Sequence, residues 1–197
     1  MDKTPARAPR PREMSETVPT GNDCGNCTVC CMALTVIELD KDAGIYCKHC
    51  LPGKGCGIYE TRFEICRTFL CGWRLVPQLG DRWRPDRSGI LMLRQEVDKL
   101  PEEHRAAGPG MNFVILGGEK AVSRPGFAEY VTTLVTRNVA VYLSADTPKT
   151  LINPYLKKQA AARDVPAVKE MLLHIYRQHV KLRALNNLKP MPWIEPV

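Results

Sequence analysis

All nine cysteines of this 197-residue chain lie between Cys24 and Cys71, and none follows them. Cysteines that pack a large hydrophobic core would be scattered along the chain, so their confinement needs a chemical explanation. The block opens with CGNCTVCC from Cys24, continues with CKHC, which ends at Cys50, and closes with three separate cysteines. Three CxxC spacings and an adjacent pair within one block indicate thiolate ligands gathered around metal.

A disulfide scaffold and a core filled with thiols both suit this block less well. A disulfide scaffold uses an even number of cysteines in a short secreted chain, whereas the number here is odd and most of the chain has no cysteine. Cysteines that only fill a core do not cluster in glycine-rich loops such as those of this block. The chain opens without the apolar run of a secretory signal and has no stretch long enough to span a membrane, so we expect a cytosolic protein with reduced thiols.

The sequence divides into three parts. Residues 1–22 contain four prolines among charged and small residues and are predicted to form a disordered tail. Residues 23–75 are the cysteine module, whose glycine-rich loops predict little regular structure. Residues 76–197 alternate strand and helix signals and are expected to form a small mixed α/β body. We therefore predict an α+β protein in which the module packs on the body as one compact unit.

Short apolar runs in the body predict three buried strands, over 90–93, 112–116 and 139–143. The second run stops at Gly117–Gly118, which we interpret as a turn. Apolar residues at helical spacing and helix-start signals predict three helices, over 125–137, over 147–161 and from an N-cap at Asp164 onward. The last helix carries six residues along one side: Val168, Leu172, Ile175, His179, Leu182 and Leu185.

Charge is unevenly distributed between the parts. Residues 23–75 hold six basic and six acidic residues, whereas residues 151–197 hold eight basic against three acidic ones, a net +5 of the chain's +7. Because the module itself is neutral, thiolate ligands would make it acidic. We interpret the basic residues of the last helix as a solvated face. Contact with an anionic partner, an RNA or an acidic protein surface, is the alternative, although no nucleic-acid motif supports it.

The cysteine spacing restricts how metal could be bound. Two sulfurs on one tetrahedral zinc ion lie about 3.8 Å apart, a separation that a CxxC turn can match while it directs backbone N–H groups at the thiolates. The CxxCxxC run could also serve an iron–sulfur cluster, but the ferredoxin pattern fails because Cys31 directly follows Cys30 and is itself followed by Met32. Two adjacent cysteines seldom place both sulfurs on one ion, so we expect Cys30 and Cys31 to serve different metals or to leave one thiol free.

Nine thiols supply two four-ligand sites and one spare sulfur. His49 lies between Cys47 and Cys50 and could replace a cysteine as a ligand, although a lone loop histidine more often faces solvent. Zinc and iron both stay open at this point.

Three stretches of the module together resemble a known family: the CxxCxxCC opening from Cys24, the pair Cys50–Leu51, and the run CGIYETRFEICRTFLC from Cys56 to Cys71. They are similar to the YkgJ-like cysteine-cluster family, which is described as a zinc- or iron-chelating domain. Two positions depart from its pattern, because Phe63 stands where the family has proline and Cys47 is additional. The resemblance implies a metal site but no particular reaction, and it implies eight ligands: Cys24, Cys27, Cys30, Cys31, Cys50, Cys56, Cys66 and Cys71.

Side chains between the last ligands are candidates for a second layer around the thiolates: Tyr59, Arg62 and Arg67. If residues 59–70 form one helix, Arg62 lies one turn before Cys66 on the same face. Arg62 and Arg67 would then donate hydrogen bonds to thiolates and offset their negative charge. As an equal alternative, both arginines pair with neighbouring glutamates on the surface.

These observations favour a cytosolic, bacterial protein that holds one or two zinc or iron ions, with metal that is structural or stored and a surface that binds a partner. An iron–sulfur redox protein or enzyme with a cluster on the same cysteines is the alternative, and metal delivery or sensing through exchangeable thiols is a third hypothesis. The sequence contains no HExxH, phosphate-loop or paired-carboxylate motif, and whether any reaction is catalysed stays open.

Overall fold

The computed structural model describes residues 22–145 and 148–186. The predicted disordered tail, apart from Asn22, lies outside the described residues. The helices are Val29–Ala33 (α1), Glu64–Thr68 (α2), Gly72–Leu75 (α3), Pro85–Ser88 (α4), Glu102–Arg105 (α5), Gly118–Ser123 (α6), Phe127–Thr136 (α7), Asn153–Ala161 (α8) and Val165–Leu185 (α9). The strands are Cys50–Leu51 (β1), Gly55–Cys56 (β2), Ile90–Gln95 (β3), Gly110–Ile115 (β4), Val141–Ser144 (β5) and Thr150–Leu151 (β6). Short 3-10 helices cover Ile37–Leu39, Tyr59–Thr61, Asp81–Trp83 and Val97–Lys99.

These elements confirm the predicted α+β class, with a loop-rich cysteine module packed on a small mixed body. Strands β3 to β6 form one sheet in sequence order, and β1 and β2 form a separate hairpin inside the module. β3 and β4 are antiparallel, β4 and β5 are parallel, and β5 and β6 are again antiparallel. The parallel pair needs a crossover connection, which α6 and α7 supply. β3 is left at the edge of the sheet, and the module packs beside it.

Aromatic side chains join the first segment of the body, residues 76–89, which we name the bridge, to the sheet and to α7. The buried Phe113 ring on β4 meets Phe127 of α7 edge-on at a centroid distance of 5.2 Å and lies 6.0 Å from Tyr130. Trp83 meets Tyr130 edge-on at 5.4 Å. Such offset and edge-on pairs stabilise a core beyond their buried area, so the bridge is held firmly on the sheet and α7.

The predicted strands and two of the predicted helices are confirmed with small shifts of their ends. Asp164 is the N-cap of α9, because its side chain accepts a hydrogen bond from the Ala167 N–H at 3.1 Å. The turn at Gly117–Gly118 leads at once into α6, a helix that is absent from the sequence-based prediction. None of the helices in the described ranges combines the length and apolar character needed to cross a bilayer.

The predicted helix over 147–161 begins too early. Thr147 lies outside the described residues, Thr150 and Leu151 pair with β5, and the helix starts at Asn153. The Asn153 side chain accepts a hydrogen bond from the Val141 N–H at 2.7 Å and donates one to the Val139 carbonyl at 2.8 Å. These tertiary hydrogen bonds fix the start of α8 against β5, and no local sequence pattern predicts them.

The apolar side predicted for the last helix is only partly correct. Val168, Leu172 and His179 are buried, but Leu182 and Leu185 are 50% and 79% exposed. The 21-residue α9 is about 31 Å long, twice the length of the 10-residue α7 on which it packs. Its last turn therefore passes beyond the elements that bury the rest of the helix.

The module and the body share one hydrophobic core. Val29, Met32 and Trp73 of the module are buried in the same cluster as Ile90 and Phe113 of the sheet. α3 lies against β3 so closely that no side chain fits at Gly72. A Cβ atom there would lie 2.6 Å from the Met92 Cβ and 3.0 Å from the Met111 Sδ.

We therefore expect Gly72→Ala to lower the free energy of unfolding by about 1–3 kcal/mol, because the backbone of α3 must move away from β3. Gly80→Ala is the matched control, since a Cβ at Gly80 meets nothing within 4 Å and its φ of −63° suits alanine. Its effect should stay below about 0.5 kcal/mol. Urea unfolding of both variants, purified without oxygen, measures the difference, and equal effects would contradict the close packing.

Candidate metal centre

Eight of the nine cysteines line one cavity of about 430 Å³ beside the edge strand β3. All nine are free thiols, and only Cys71 is fully buried while the others are half-buried. Leu91 and Leu93 of β3 form part of the apolar wall, together with Phe69 and Trp73. The cavity-lining cysteines are Cys24, Cys27, Cys30, Cys31, Cys47, Cys56, Cys66 and Cys71.

Two of the CxxC segments form tight turns, as predicted. The Cys27 N–H donates to the Cys24 carbonyl at 2.9 Å, and the Cys50 N–H donates to the Cys47 carbonyl at 2.9 Å. In the second of these turns the His49 N–H also points at the Cys47 Sγ, at 3.5 Å. Backbone N–H groups directed at sulfur stabilise the thiolate form, which is the form that binds metal.

Cys50 does not line the cavity but lies directly opposite Cys56 in the β1–β2 hairpin. The Lys54 N–H closes the hairpin on the Leu51 carbonyl at 2.8 Å. Gly53 has a φ of +71°, as the third residue of a type II turn requires. Residues directly opposite in an antiparallel pair have Cβ atoms about 4.5–5.5 Å apart on one face, so the hairpin brings the sulfurs of Cys50 and Cys56 together.

The adjacent pair lies on α1. The thiols of Cys30 and Cys31 share a hydrogen bond, and the Cys31 thiol also hydrogen-bonds with that of Cys50. The Cys31 carbonyl accepts the Cys47 N–H at 3.0 Å. Predicted ligands from before and after the loop over residues 34–49 thus lie close together at this helix.

The last two cysteines come from different helices. Cys66 lies on α2, and its thiol is within electrostatic range of the thiols of Cys31, Cys47 and Cys56. Cys71 is the residue before α3, and the backbone N–H groups of Trp73 and Arg74 lie near its thiol without forming a capping hydrogen bond.

Burial and mutual contact change how the thiols titrate. Burial raises the pKa of Cys27 to about 12 and also raises the pKa values of Cys66 and Cys71. Within the adjacent pair, the shared hydrogen bond raises the pKa of Cys30 and lowers the pKa of Cys31. In the metal-free chain Cys31 is therefore the member of the pair that ionises first, and the buried thiols keep their protons.

Lys41 is a buried cation beside these thiols that was not predicted from the sequence. Its side chain, in a residue that is 6% exposed, donates to the carbonyls of Met32 at 3.3 Å, Asp42 at 3.1 Å and Leu34. Its charge lowers the pKa of the nearby Cys31. A buried ammonium group is tolerated only when it is hydrogen-bonded, and here it ties the end of α1 to the loop that leads to the second CxxC turn. A lone lysine in a polar loop carries no sequence signal of burial.

Arg84 and Asp86 form a second charged group, next to the first CxxC turn. The Arg84 guanidinium, 11% exposed, pairs with the Asp86 carboxylate at 2.7 and 2.8 Å. The charge of Arg84 reaches Cys24 and Cys27, whose thiolates would raise its pKa further. These residues follow the module along the chain, and no motif in the sequence connects them with it.

Residues 59–70 do not form one helix, so the condition for placing Arg62 one turn before Cys66 is not met. A 3-10 helix over Tyr59–Thr61 and α2 are separated at Arg62 and Phe63, whose ψ angles are 148° and 150°. These extended ψ angles interrupt the helix, and the φ of −54° at Phe63 lies in the range that proline imposes. Arg62 has the extended conformation typical of a residue before proline. The departure from the family pattern at Phe63 therefore leaves the backbone in the shape that proline would adopt.

The predicted second layer is only partly in place. Arg62 lies over the Tyr59 ring at 3.6 Å and donates from Nε to the Tyr59 carbonyl at 2.7 Å, and both residues line the cavity. Its charge reaches Cys31 and Cys66. Arg67 is exposed on α2 and is not among the cavity-lining residues.

His49 is half-buried and lines the cavity, with its ring 6.2 Å from that of Phe63. Among the described residues, no group of three or more His, Cys, Asp or Glu side chains converges as it would around a bound ion. The donor chemistry nevertheless fits the predicted metals, since sulfur and imidazole are the ligands that zinc prefers, and thiolates hold iron–sulfur clusters.

Comparison with known proteins identifies no relative: no family model, curated protein or solved structure matches the chain. The resemblance to the YkgJ-like family stays a prediction that depends on its cysteine motif.

The raised pKa of Cys27 predicts how pH changes the stability of the metal-free chain. An unfolded thiol ionises near pH 9 while the folded Cys27 keeps its proton to about pH 12, so its contribution to stability is complete below pH 9 and is lost as pH rises through this interval. The slope is about 1.4 kcal/mol per pH unit for one group. Urea unfolding of wild type and Cys27→Ala, without metal or oxygen, should show a shallower decline in the variant; parallel curves would contradict the assignment.

Lys41→Met should lower the free energy of unfolding by about 1–3 kcal/mol, because three carbonyl groups lose their donor. Lys48→Met, at an exposed position of the same loop, is the control and should change it by less than about 0.5 kcal/mol. Denaturation of the two variants side by side is the measurement, and a harmless Lys41→Met would show that the lysine is not structural.

Proposed function

We propose that this protein binds zinc or iron through the thiolates of its cysteine module, in the reducing cytosol of a bacterium, and that the metal is structural or stored. The observation that supports this most strongly is the gathering of eight thiols from a long and irregular segment around one cavity. Segments as far apart as Cys24 and Cys71 would not converge on one cavity through local turn formation alone.

The surroundings of the thiols support a site built for thiolates. The His49 N–H points at the sulfur of Cys47. Lys41 and Arg62 place positive charge beside Cys31, and Arg84 places it beside Cys24 and Cys27. One divalent ion with four thiolates carries a net −2, and nearby cations reduce that charge without taking a ligand position. A core filled with inert thiols would have no use for such cations.

The resemblance to the YkgJ-like family is in accord with this proposal. The backbone at Phe63 has the φ of the proline that the family carries there, so this departure leaves the chain between Cys56 and Cys66 in a compatible shape.

We further propose that the bound metal shapes a surface for a partner protein. Of the ten large apolar side chains that are exposed in the described residues, seven belong to the module: Ile37, Ile45, Tyr46, Leu51, Tyr59, Phe63 and Ile65. Exposed apolar side chains concentrated in one region mark interaction surfaces. The basic helix α9 is a weaker candidate, because Arg177 already pairs with Glu119 at 2.7 and 2.8 Å.

An iron–sulfur redox protein or enzyme is the second candidate. The cavity of about 430 Å³ is large compared with the roughly 30 Å³ that one water molecule occupies, which leaves room for a cluster. Its largely apolar wall, with Leu91, Leu93 and Trp73, would keep such a cluster away from water.

Metal content and the ultraviolet–visible spectrum of protein purified without oxygen test the proposal. Zinc with no visible absorption supports a structural or storage site, whereas a brown protein that bleaches on reduction supports the cluster. Exchange of the metal with a weak chelator would instead support delivery or sensing. A metal-free chain whose thiols are joined in disulfides would refute metal binding altogether.

Cys66→Ser should lower the metal content of the purified protein, whereas Cys47→Ser should lower it much less, because the family motif includes the first cysteine and not the second. The two variants remove the same atom from neighbouring positions around one cavity, so each controls for the other. Elemental analysis after anaerobic purification gives the ratio, and equal losses would show that Cys47 is a ligand too.

A further inference from the structure

The two cysteines on α1 face different groups of thiols. Val29, Met32 and Ala33 bury one side of this helix in the core. Successive residues of a helix project about 100° apart, so Cys30 and Cys31 leave the remaining sides in different directions. This short helix therefore stands between two regions of the module.

The region on the side of Cys30 is made from the start of the module and from α3. The Asn22 side chain donates to the Trp73 carbonyl at 2.8 Å, and Arg74 donates from Nε to the Asn22 carbonyl at 3.0 Å. These hydrogen bonds hold the chain just before Cys24 against the helix that Cys71 precedes. The cysteines of this region, which we name the turn set, are Cys24, Cys27, Cys30 and Cys71.

The region on the side of Cys31 is made from the middle of the module. The Gly44 N–H donates to the Met32 carbonyl at 2.9 Å and the Cys47 N–H to the Cys31 carbonyl at 3.0 Å, which lays this loop along α1. The hairpin and α2 complete the region. Its cysteines, which we name the hairpin set, are Cys31, Cys47, Cys50, Cys56 and Cys66.

Cations lie beside both sets. Arg84 lies beside the turn set and comes from the body, with its guanidinium held by Asp86. Lys41 and Arg62 come from the module and lie beside the hairpin set, and Lys41 also lies within electrostatic range of Cys30. Two sites of four thiolates and one divalent ion would together carry −4, and like charges at short range repel strongly at low dielectric. Cations on both sides of α1 offset the charge of the two sites.

Resting on the proposed function, we infer that the module holds two adjacent metal sites that meet at α1, one formed by the turn set and the other by the hairpin set. The turn set supplies four sulfurs, which completes a tetrahedral site. The hairpin set supplies five, of which Cys47 is the spare. Because Cys30 and Cys31 follow each other on α1, the two sites would be neighbours.

The adjacent cysteines supply the test. Metal-free full-length protein, kept reduced and without oxygen, is titrated with cobalt(II), whose sulfur-to-metal absorption reports the number of ions bound. Wild type should bind two ions, and so should Cys47→Ser, which removes the spare sulfur and leaves four in each set. All further changes are made in Cys47→Ser, where Cys30→Ser and Cys31→Ser should each leave one bound ion. The double variant Cys31→Ser/Cys66→Ser should still bind one, because both changes fall in the hairpin set, whereas Cys30→Ser/Cys66→Ser should bind none.

The two double variants carry the same number and kind of substitutions, so a difference between them cannot come from a general loss of sulfur. If both double variants bind the same number of ions, the division at α1 is wrong. If wild type binds a single ion, the two-site inference fails while the proposed metal binding stands, and if it binds none, both fail. Should Cys30→Ser unfold the chain, as circular dichroism would show, Cys27→Ser replaces it in the turn set with the same expected counts.

Discussion

The packing of two very short helices against the edge of the sheet is the constraint on which the cysteine module depends. α1 and α3 are five and four residues long, far below the length at which a helix is stable alone in water. They exist because Val29, Met32 and Trp73 are buried in the core of the body and because Gly72 allows the backbone to approach Met92 closely. Each helix carries cysteines on or beside it, so the docking that forms the helix also positions the sulfurs.

The module also needs positive charge close to its sulfurs. The charges of its own basic and acidic side chains sum to zero, and every thiolate adds negative charge to a partly buried region. Tertiary contacts place three cations beside the thiols. Lys41 donates hydrogen bonds to three carbonyls, Arg62 stacks over the Tyr59 ring, and Arg84 forms an ion pair with Asp86. Each is held in place by hydrogen bonds or a ring contact, so its charge stays close to the sulfurs whether or not they are ionised.

Local patterns predicted what local interactions decide. The strands at Ile90 and Phe113 follow from apolar runs, and the start of α9 follows from the capping carboxylate of Asp164. The errors lie where distant groups compete with a local preference. Asn153 fixes the start of α8 through hydrogen bonds to Val141 and Val139. The extended ψ angles of Arg62 and Phe63 separate the 3-10 helix at Tyr59–Thr61 from α2, so residues 59–70 are not one helix.

The sequence by itself determined which sulfur atoms are available as ligands for the proposed metal and how the nearest of them are spaced, because a CxxC turn is closed by hydrogen bonds within four residues. It also determined the α+β class, since strand and helix periods are local properties of the chain. Only the tertiary structure decided that Cys24 lies near Cys71, that Cys31 meets the hairpin, and that a loop lysine is buried beside them. Such contacts join residues tens of positions apart, and they form only when the core of the body holds α1, α3 and the loops between them together.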